Sequence, residues 1–435
     1  MKTKSIVYIG LAADNIHHGH MRLLETGRNY GDIVIGLMTD SIIAEYKRVP
    51  YLNYEQRKKI LLNLKGVIGV VPQNEYDYTK NILKYKPDFM VHGDDWKLNY
   101  EKKIRNNVIK ALKQYGGKLI EVPYTRGVSS EAFNKNHDLN ITTPETRRGL
   151  LRRIIDLKKT SRFIEVHNPI SALIGENVSV KKDGKFISFD GFWSSSLTDS
   201  TSMGKPDTEY IDYSFRLYNI NNIFDVTTKP LIFDGDTGGK IEHFDLKIKS
   251  IERLGVSAII IEDKSGLKKN SLHLDTSNQT QENSKSFAEK IAIGKKAQIN
   301  DEFMIIARIE SFILNKGIND AIKRANKYVS AGADGIMIHS KSKNPKEVFN
   351  FAKIFRKNFK NIPLVCVPST YNQVTEKQLS DIGFNLIIYA NHMLRASYPA
   401  MTKVARQILM NGRSKESNKN LMSINEILEL IPGTK

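Results

Sequence analysis

Residues 257–263 read SAIIIED, an apolar run that is closed by two carboxylates. Near-continuous apolar runs of this kind are typical of parallel strands that are buried on both faces. Similar runs follow residue 160, with helical patterns between them, at 162–166, 186–193, 230–234, 304–310, 335–339, 363–367 and 385–390. Together they make eight buried strands alternating with helices over residues 161–435, which predicts an α/β fold of the (β/α)8 barrel type.

The first part of the chain shows a different arrangement of strands and helices. Its short apolar runs lie at 4–9, 33–38, 67–71, 88–92 and 118–122, with helical patterns between them. This alternation predicts βαβα units around a parallel, Rossmann-like sheet. The stretch that joins the two halves is polar and basic. We therefore expect a first domain at 1–135, a linker helix at 136–160 and the barrel at 161–435.

The composition excludes several classes of protein. The 435 residues are 40% hydrophobic and 26% charged, which is close to a globular average and unlike collagen, coiled coils or disordered chains. Lysine and arginine number 66 against 47 aspartates and glutamates, and the net charge of +19 suits nucleic acid, an acidic membrane or small anionic substrates. The single cysteine, Cys366, excludes an internal disulfide, and no apolar run is long enough to span a bilayer. We expect a cytoplasmic protein with no membrane partner.

The first candidate site is the stretch GLAADNIHHGH at residues 10–20, which follows the first predicted strand and precedes a helix. A glycine turn at a helix N-terminus presents backbone N–H groups to an anion. His17 and His20 form the pattern His-x-Gly-His, and imidazolium donors there would stabilise charge on a triphosphate, which makes both residues catalytic candidates. A surface or metal-binding histidine cluster is the alternative. The residues expected to hold the nucleotide are Gly10, Asp14 and Gly19.

Three further segments of this half complete a pattern. A basic segment begins at Lys47, the run YEQR follows at 54–57, and a Gly-Asp-Asp-Trp turn at 93–96 ends the fourth strand. The last segment, YTRGVSS at 124–130, offers hydroxyls and backbone amides suited to phosphates. Together with His-x-Gly-His, these segments resemble the nucleotidyltransferase superfamily over residues 4–132, and most closely its glycerol-3-phosphate and choline-phosphate cytidylyltransferase branch.

This resemblance implies CTP as the cosubstrate and Lys47 as a catalytic residue. For Lys47 and Arg57, a solvated helix face is the alternative. Tyr124 stands where the family usually has arginine, which implies a different acceptor pocket. The further nucleotide-binding residues implied by the match are Arg57, Asp94, Thr125, Gly127, Ser129 and Ser130.

The second candidate site lies where the barrel strands are expected to end. Carboxylates close together at one barrel mouth repel each other unless a cation joins them, and hard oxygen ligands suit Mg²⁺ with several retained waters. We expect Asp236 to bind Mg²⁺ directly, while Arg308 and His339 balance an anionic substrate. Taken singly, each residue is explained equally well by a strand-end ion pair. The carboxylates expected to act largely through coordinated water are Asp207, Asp234 and Glu262.

The run EDKSGLKKNS at 262–271 resembles the gating loop of phosphoenolpyruvate mutase. With FWSSS at 192–196, the Asp-x-Asp-Thr-Gly element and ARIE at 307–310, the resemblance extends over about 160–430 and points to the isocitrate lyase/phosphoenolpyruvate mutase superfamily. The lyases of that superfamily carry a loop cysteine that this loop lacks, and Asn270 matches the mutases rather than the phosphonopyruvate hydrolases. The resemblance implies catalytic roles, beside Arg308 and His339, for Trp193, Ser195, Lys268, Asn270 and Ser271.

A mutase of this kind moves a phosphoryl group from the enol oxygen of phosphoenolpyruvate to carbon 3 and so forms phosphonopyruvate. Its fusion to a cytidylyltransferase resembles the bifunctional enzymes of phosphonate biosynthesis, including those of fosfomycin-type pathways. That resemblance implies cytidylylation of a small phosphonate such as 2-hydroxyethylphosphonate, with 2-aminoethylphosphonate and polyol or choline-type phosphates as alternatives. The net charge alone suggests a nucleic-acid-binding protein, but no recognition motif with interleaved aromatics is present, so we expect no nucleic-acid partner. We also expect a homo-oligomer.

Overall fold

The computed structural model describes residues 5–46, 49–97, 101–123, 142–182, 185–266, 268–273 and 279–431. The chain forms two compact units. The first consists of Met1–His137 with Ser179–Ser188, and the second of Asp138–Val178 with Phe189–Lys435. The α/β class predicted for both halves is confirmed. None of the described helices is both long and apolar enough to cross a membrane.

The first unit contains a five-stranded parallel sheet in the order β3-β2-β1-β4-β5. The strands are β1 Ile6–Leu11, β2 Asp32–Met38, β3 Val67–Gln73, β4 Phe89–Gly93 and β5 Lys118–Val122. The helices are α1 His18–Arg28, α2 Asp40–Tyr46, α3 Tyr54–Leu62, α4 Thr79–Tyr85 and α5 Glu101–Lys113. The strand order reverses between β1 and β4, and open α/β sheets bind ligands at such a switch point.

Both faces of this sheet are covered by apolar side chains. Val7 and Ile9 of β1 pack into one core, and Tyr8 packs into the other together with Met90 and Trp96. Successive side chains of a strand point to opposite faces, so a strand that is covered on both sides contains no regular polar position. This explains why the sequence of β1 is almost wholly apolar.

The second unit is built on a closed parallel barrel in the order β10-β11-β14-β15-β16-β17-β6-β9. Its strands are β6 Ser161–Glu165, β9 Gly191–Ser194, β10 Leu231–Asp234, β11 Ala258–Glu262, β14 Met304–Ile309, β15 Gly335–Ile338, β16 Leu364–Cys366 and β17 Leu386–Tyr389. The unit's helices are α6 Pro144–Leu157, α7 Pro169–Asn177, α8 Ser196–Ser202, α9 Tyr213–Phe224, α10 Phe244–Leu254, α11 Ser284–Ala297, α12 Gly317–Ser330, α13 Lys346–Asn358, α14 Glu376–Ile382, α15 His392–Asn411 and α16 Ile424–Glu429. A short antiparallel pair, β12 Lys264–Ser265 and β13 Thr280–Gln281, flanks the loop after β11.

The run SAIIIED contributes to two cores. Ile260 belongs to the core that fills the barrel interior, whereas Ile259 and Ile261 pack outward against the helices. Interior and exterior are both dry, so every position of β11 up to Glu262 is buried. Because parallel strands of a barrel end on the same face, the residues that follow each strand meet at one mouth.

The predicted strand at 186–193 is wrong, because the structure divides it into two strands. Asp190 interrupts the run: its carboxylate accepts hydrogen bonds from the Arg162 N–H at 2.9 Å and from Lys158 Nζ at 2.6 Å. The residues before it form β8 Lys185–Ser188, which pairs antiparallel with β7 Ser179–Lys182. This hairpin falls in the first unit, and the barrel strand is β9 alone.

The stretch expected to be a linker helix contributes helix α6 to the second unit. Leu151 is fully buried in the core of the barrel interior. The Arg147 guanidinium lies 3.8 Å from the centre of the Phe224 ring, and Arg148 Nη1 donates to Glu252 O at 2.6 Å. In this structure α6 is therefore a packed element of the barrel unit rather than a free connection.

Candidate active sites

The His-x-Gly-His motif lies at the start of helix α1, and its histidine side chains cap the helix. His17 is the N-cap residue, and its Nδ1 accepts a hydrogen bond from the Gly19 N–H at 3.1 Å. The His17 N–H donates to Nδ1 of His20 at 3.4 Å, and the two rings stack with their centroids 3.9 Å apart. A Cβ on residue 19 would lie 3.0 Å from the His17 ring. Glycine therefore allows the imidazole to close over the helix N-terminus.

These hydrogen bonds determine which nitrogen of His17 carries a proton. Because Nδ1 accepts from Gly19, the proton must be on Nε2. Burial, with His18 beside it, lowers the pKa of His17 below the ordinary value of 6.5. His17 is therefore a neutral donor at pH 7, which corrects the imidazolium expected from the sequence.

Asp14 and Arg57 hold the turn between β1 and α1. Asp14 Oδ1 accepts from the Tyr51 N–H at 2.7 Å. Arg57 is fully buried, and its guanidinium donates to Ala12 O and to Asp40 Oδ1, each at 2.5 Å, and to a further backbone carbonyl. Because Arg57 is fully buried and bonds to groups of the protein itself, it is a structural residue here, which corrects the nucleotide-binding role expected for it.

Aromatic rings that the sequence reasoning missed lie at the carboxyl end of β1 and β4. A Cβ on Gly10 would lie 2.2 Å from the Tyr78 ring, so this glycine makes room for Tyr78 rather than for a phosphate. His92 stacks on Trp96 with 3.7 Å between centroids, and Tyr78 meets both rings edge-on. Burial lowers the pKa of His92. Asp94 follows in a single 3-10 turn, Asp94–Lys97.

Five predicted residues of the first site lie outside the described residues, namely Lys47, Thr125, Gly127, Ser129 and Ser130. Their roles stay predictions. The described part of the site consists of the histidine-capped start of α1, the turn before it and the aromatic rings beside it. All three lie at the switch point of the sheet, where an anion meets the positive end of a helix dipole.

In the second unit, the loop after β11 places a lysine among the predicted metal-binding carboxylates. Lys268 Nζ donates to Asp207 Oδ1 at 2.7 Å, to Asp236 Oδ1 and to the Ser196 hydroxyl. Asn270 Nδ2 donates to Asp207 Oδ2 at 2.9 Å. The structure thus brings together four residues that the sequence singled out from three separate segments.

Asp236 is held in an unfavourable backbone conformation. Its φ of 54° lies in the left-handed region, which costs a residue other than glycine about 1–3 kcal/mol. Burial raises the pKa of Asp236. Burial also acts on Asp234, but the charges of Lys268, Arg308 and Arg216 outweigh it and lower the pKa of that carboxyl. The pair therefore depends on the cations around it.

Arg308, on β14, is the centre of a second ionic cluster. Its Nε donates to Glu310 Oε1 at 2.6 Å, its Nη2 donates to Ser271 Oγ at 2.7 Å, and Glu262 Oε2 lies 3.2 Å away. Arg308 Nη2 also donates to Nδ1 of His339 at 2.9 Å. The same Nδ1 also lies 3.3 Å from Glu310 Oε1, so this nitrogen is held between a guanidinium and a carboxylate. Burial, with Arg308 beside it, lowers the pKa of His339, so this ring too is neutral at pH 7.

A cavity of about 60 Å³ lies between the two clusters. Trp193 Nε1 is buried, and among the described residues no group accepts a hydrogen bond from it. Asp236 does not line the cavity itself, but it accepts a hydrogen bond from Lys268, which does. The predicted residues that line the cavity are Trp193, Ser195, Asp207, Asp234, Glu262, Lys268, Asn270, Ser271, Arg308 and His339.

Sequence reasoning missed several residues of this mouth. Arg216 Nε donates to Asp199 Oδ2 at 2.9 Å, and its Nη1 donates to Asp234 O at 2.7 Å. The sequence feature that could have identified Arg216 is its position as the one charged residue in the largely apolar sequence of α9. Glu310, which the sequence places at this mouth beside Arg308 without a role, binds Arg308. The other missed residues are Ser196, Ser369 and Asn391, which line the cavity.

The carboxylates of this mouth fit Mg²⁺. Within the described ranges, no three His, Cys, Asp or Glu side chains form a group that could bind a metal, whereas Mg²⁺ usually takes only one or two carboxylates and keeps its waters. Glu262 Oε1 is buried 3.2 Å from the Lys264 ammonium, and no described group makes a hydrogen bond to it. The ammonium of Lys268 lies against Asp207 and Asp236. In the described structure this ammonium supplies the positive charge at the position where a metal ion would meet the same carboxylates.

Comparisons with known proteins match the two halves separately. The family model described as phosphoenolpyruvate phosphomutase matches residues 151–409, and the model described as cytidylyltransferase-like matches residues 10–135. A phosphoenolpyruvate phosphomutase from Tetrahymena pyriformis is 33% identical over 282 residues, which cover 64% of this chain and 89% of that protein. A glycerol-3-phosphate cytidylyltransferase from Bacillus spizizenii is 34% identical over 125 residues, which cover 28% of this chain and 89% of that protein.

A solved structure of phosphonopyruvate hydrolase in complex with oxalate and Mg²⁺ is also similar to this chain. It matches with a TM-score of 0.58 and 32% identity, over 66% of this chain and 94% of that one. Overall identity therefore separates a mutase from a hydrolase poorly. The choice between the two reactions has to rest on the residues of the mouth.

We expect the ring of His17 to titrate with a midpoint below 6.5, because burial and its bond from Gly19 favour the neutral form. The stability that His17 contributes is then present above pH 6.5 and is lost as the pH falls through the lowered value. Histidine ring signals followed by NMR between pH 4.5 and 8 measure this, with His17→Gln to assign the resonance. A midpoint at or above 6.5 would contradict the cap geometry.

Proposed function

The chain belongs to the phosphoenolpyruvate phosphomutase family, and on this basis we propose that its second unit interconverts phosphoenolpyruvate and phosphonopyruvate. The phosphoryl group moves between the enol oxygen and carbon 3 of one molecule, so no external nucleophile takes part. The observation that carries the proposal is the placement of Lys268 and Asn270, whose loop brings both side chains onto Asp207 at the mouth. A loop in this position covers a bound substrate and keeps water away.

The charges around the cavity support an anionic substrate. Phosphoryl transfer passes through a loose transition state that needs positioning and charge neutralisation more than covalent help. Arg308, His339 and Asn270 would hold the migrating phosphoryl group. Ser195 and the backbone near Trp193 would hold the pyruvate enolate, and Nε1 of that tryptophan, which has no partner among the described residues, would give this side a further donor.

Two other reactions of related enzymes are less well supported. A hydrolase has to deliver water to phosphorus, whereas Asn270 offers an amide, which is not a base, and this amide is already bonded to Asp207. A carbon–carbon lyase of this superfamily would use a cysteine of the loop. Cys366 is fully buried in β16, and burial raises the pKa of its thiol, so it is a core residue.

We also propose Mg²⁺ as the cofactor of the second unit. Asp236 would be its direct ligand, and Asp207, Asp234 and Glu262 would act largely through coordinated water. When bound, Mg²⁺ supplies Lewis-acid polarisation and neutralises enolate charge. The carboxylates would orient its waters, while Lys268 and Arg308 already pair with Asp236 and Glu262 and balance part of the negative charge.

The mutase assay should run from phosphonopyruvate with Mg²⁺, followed by ³¹P NMR, because the equilibrium favours phosphoenolpyruvate. We expect phosphoenolpyruvate as the product. Asn270→Ala should lower the rate by about 10²-fold or more with Mg²⁺ still bound, whereas Asp236→Ala should lose Mg²⁺ binding measured by calorimetry. Asn358→Ala, an exposed asparagine on α13, is the matched control. Release of pyruvate and inorganic phosphate by the unmodified protein would make this unit a hydrolase.

For the first unit we propose cytidylyl transfer from CTP to a small phosphonate such as 2-hydroxyethylphosphonate, with release of pyrophosphate. A phosphonate oxygen attacks the α-phosphorus in line as the bond to pyrophosphate breaks. The start of α1 supports this function, because its first turn contains no acidic residue and the Nε2–H of His17 is left to donate to a phosphate. Fusion to a phosphonate-forming unit favours a phosphonate acceptor over polyol or choline-type phosphates. It does not distinguish 2-hydroxyethylphosphonate from 2-aminoethylphosphonate.

His17→Ala should abolish pyrophosphate release, because the variant loses both the donor and the cap. Phosphonopyruvate turnover should stay within about twofold of the unmodified chain, since the mutase residues lie in the other unit. His18→Ala, an exposed neighbour, is the matched control. The acceptor is identified by mass spectrometry of CTP incubated with 2-hydroxyethylphosphonate, 2-aminoethylphosphonate, glycerol 3-phosphate and phosphocholine. Equal loss of both activities would contradict a role confined to the nucleotide.

A homo-oligomer is proposed from the surface of the second unit. Helix α15 has no buried residue, and its large apolar side chains are exposed, with Tyr398 at 75%, Leu409 at 83% and Met410 at 84%. Apolar surface on this scale is typical of an interface, and we assign it to a second copy of the chain. Light scattering should give a multiple of 49.5 kDa, and Leu409→Lys with Met410→Lys should lower it. A monomer in the unmodified protein would exclude the assignment.

A further inference from the structure

Ser369 lies in the barrel mouth, although it takes part in neither ionic cluster. It follows β16 and lines the same cavity as Arg308 and His339. In the barrel, β16 lies between β15 and β17, the strands that precede His339 and Asn391. Polar side chains therefore follow three neighbouring strands, and two of them, Ser369 and Asn391, have no role in the functions proposed above.

The hydroxyl of Ser369 lacks a partner within the described part of the chain. Its Oγ is buried, and no described group is placed to form a hydrogen bond with it. Burying a hydroxyl without a hydrogen bond is unfavourable, and folded proteins keep few such groups. A hydroxyl that lines a substrate cavity and has no protein partner is therefore explained by a bond to the ligand.

The backbone around Ser369 is fixed independently of any ligand. The hydroxyl of the next residue, Thr370, donates to Ser340 O at 3.0 Å, one residue after His339. Ser340 Oγ is in turn bonded to Glu347. The position of Ser369 relative to His339 is thus set by protein contacts, so its hydroxyl needs little rearrangement to bind an oxygen of the substrate.

We infer that Ser369 donates a hydrogen bond to the migrating phosphoryl group, an inference that rests on the mutase function proposed above. β16 is four strands from β10 in either direction around the barrel, so Ser369 lies across the mouth from Asp234. On the side of Asp234, the carboxylates would bind the cation and, through it, the enolate. The opposite side, with Arg308 and the ring of His339, faces the phosphoryl group, which carries three oxygens that accept hydrogen bonds. Ser369 supplies a further, uncharged donor there.

The test compares Ser369→Ala with Ser369→Thr, which keeps the hydroxyl, and with Asn372→Ala, an exposed residue of the same connection. Alanine removes one oxygen and introduces no clash. We expect Ser369→Ala to lower kcat/KM for phosphonopyruvate by about 10- to 100-fold, as for a lost hydrogen bond to a charged group. Inhibition by oxalate, which has carboxylates but no phosphoryl group, should change less than about twofold. Ser369→Thr should retain most of the activity.

The outcomes separate this inference from the function on which it rests. If Ser369→Ala keeps full kcat/KM, or loses phosphonopyruvate turnover and oxalate inhibition equally, the hydroxyl does not contact the phosphoryl group and the inference fails. If the unmodified protein does not form phosphoenolpyruvate, the proposed function fails instead. In that case the affinities of phosphonopyruvate and oxalate, measured by calorimetry with Mg²⁺, still test Ser369. If Ser369→Ala weakens the binding of phosphonopyruvate but not of oxalate, the contact is supported. If Ser369→Ala and the unmodified protein bind phosphonopyruvate equally well, the contact is excluded.

Discussion

Three carboxylates, Asp234, Asp236 and Glu262, are buried at one end of the barrel beside the half-buried Asp207, and taking ionised carboxylates out of water is costly unless positive charge accompanies them. Lys268, Arg308 and Arg216 supply that charge in the described structure. The arrangement explains why a loop lysine reaches into the mouth and why Asp236 keeps a strained backbone. The cation and polyanionic substrate proposed above would each replace part of the charge already present.

In the first unit, polar groups at the start of α1 are satisfied by a neutral side chain rather than by charges. The N-terminus of α1 leaves backbone N–H groups without helical partners, and His17 satisfies one of them through its own ring. This bond fixes the tautomer and leaves the proton on Nε2, the donor that the proposed nucleotide binding would use. Arg57, the most obvious cation of the neighbourhood, is used to build the turn instead. Positive charge and hydrogen-bond donors are thus divided between structure and binding in a way that residue type alone does not reveal.

Much of this could be predicted from the sequence, and the failures are local. The run at 186–193 was read as one strand, because a single aspartate in an apolar run carries little weight until its partners Lys158 and Arg162 are known. Gly10 and Arg57 matched a nucleotide-binding pattern, but the Tyr78 ring and the carbonyl of Ala12 claim them in the fold. Arg216 and Ser369 were not predicted as site residues because neither lies in a recognisable sequence motif.

The sequence by itself determined the two α/β halves, the barrel and ten of the residues that line its mouth. It could do so because apolar runs of strand length report burial on both faces, and because parallel strands must end together. Only the tertiary structure decided that Nε2 of His17 carries the proton, that Lys268 lies against Asp207 and Asp236, and that Ser369 has no hydrogen-bond partner among the described residues. These are contacts between residues far apart in the chain, and their energies depend on distance and burial, which spacing along a sequence does not contain.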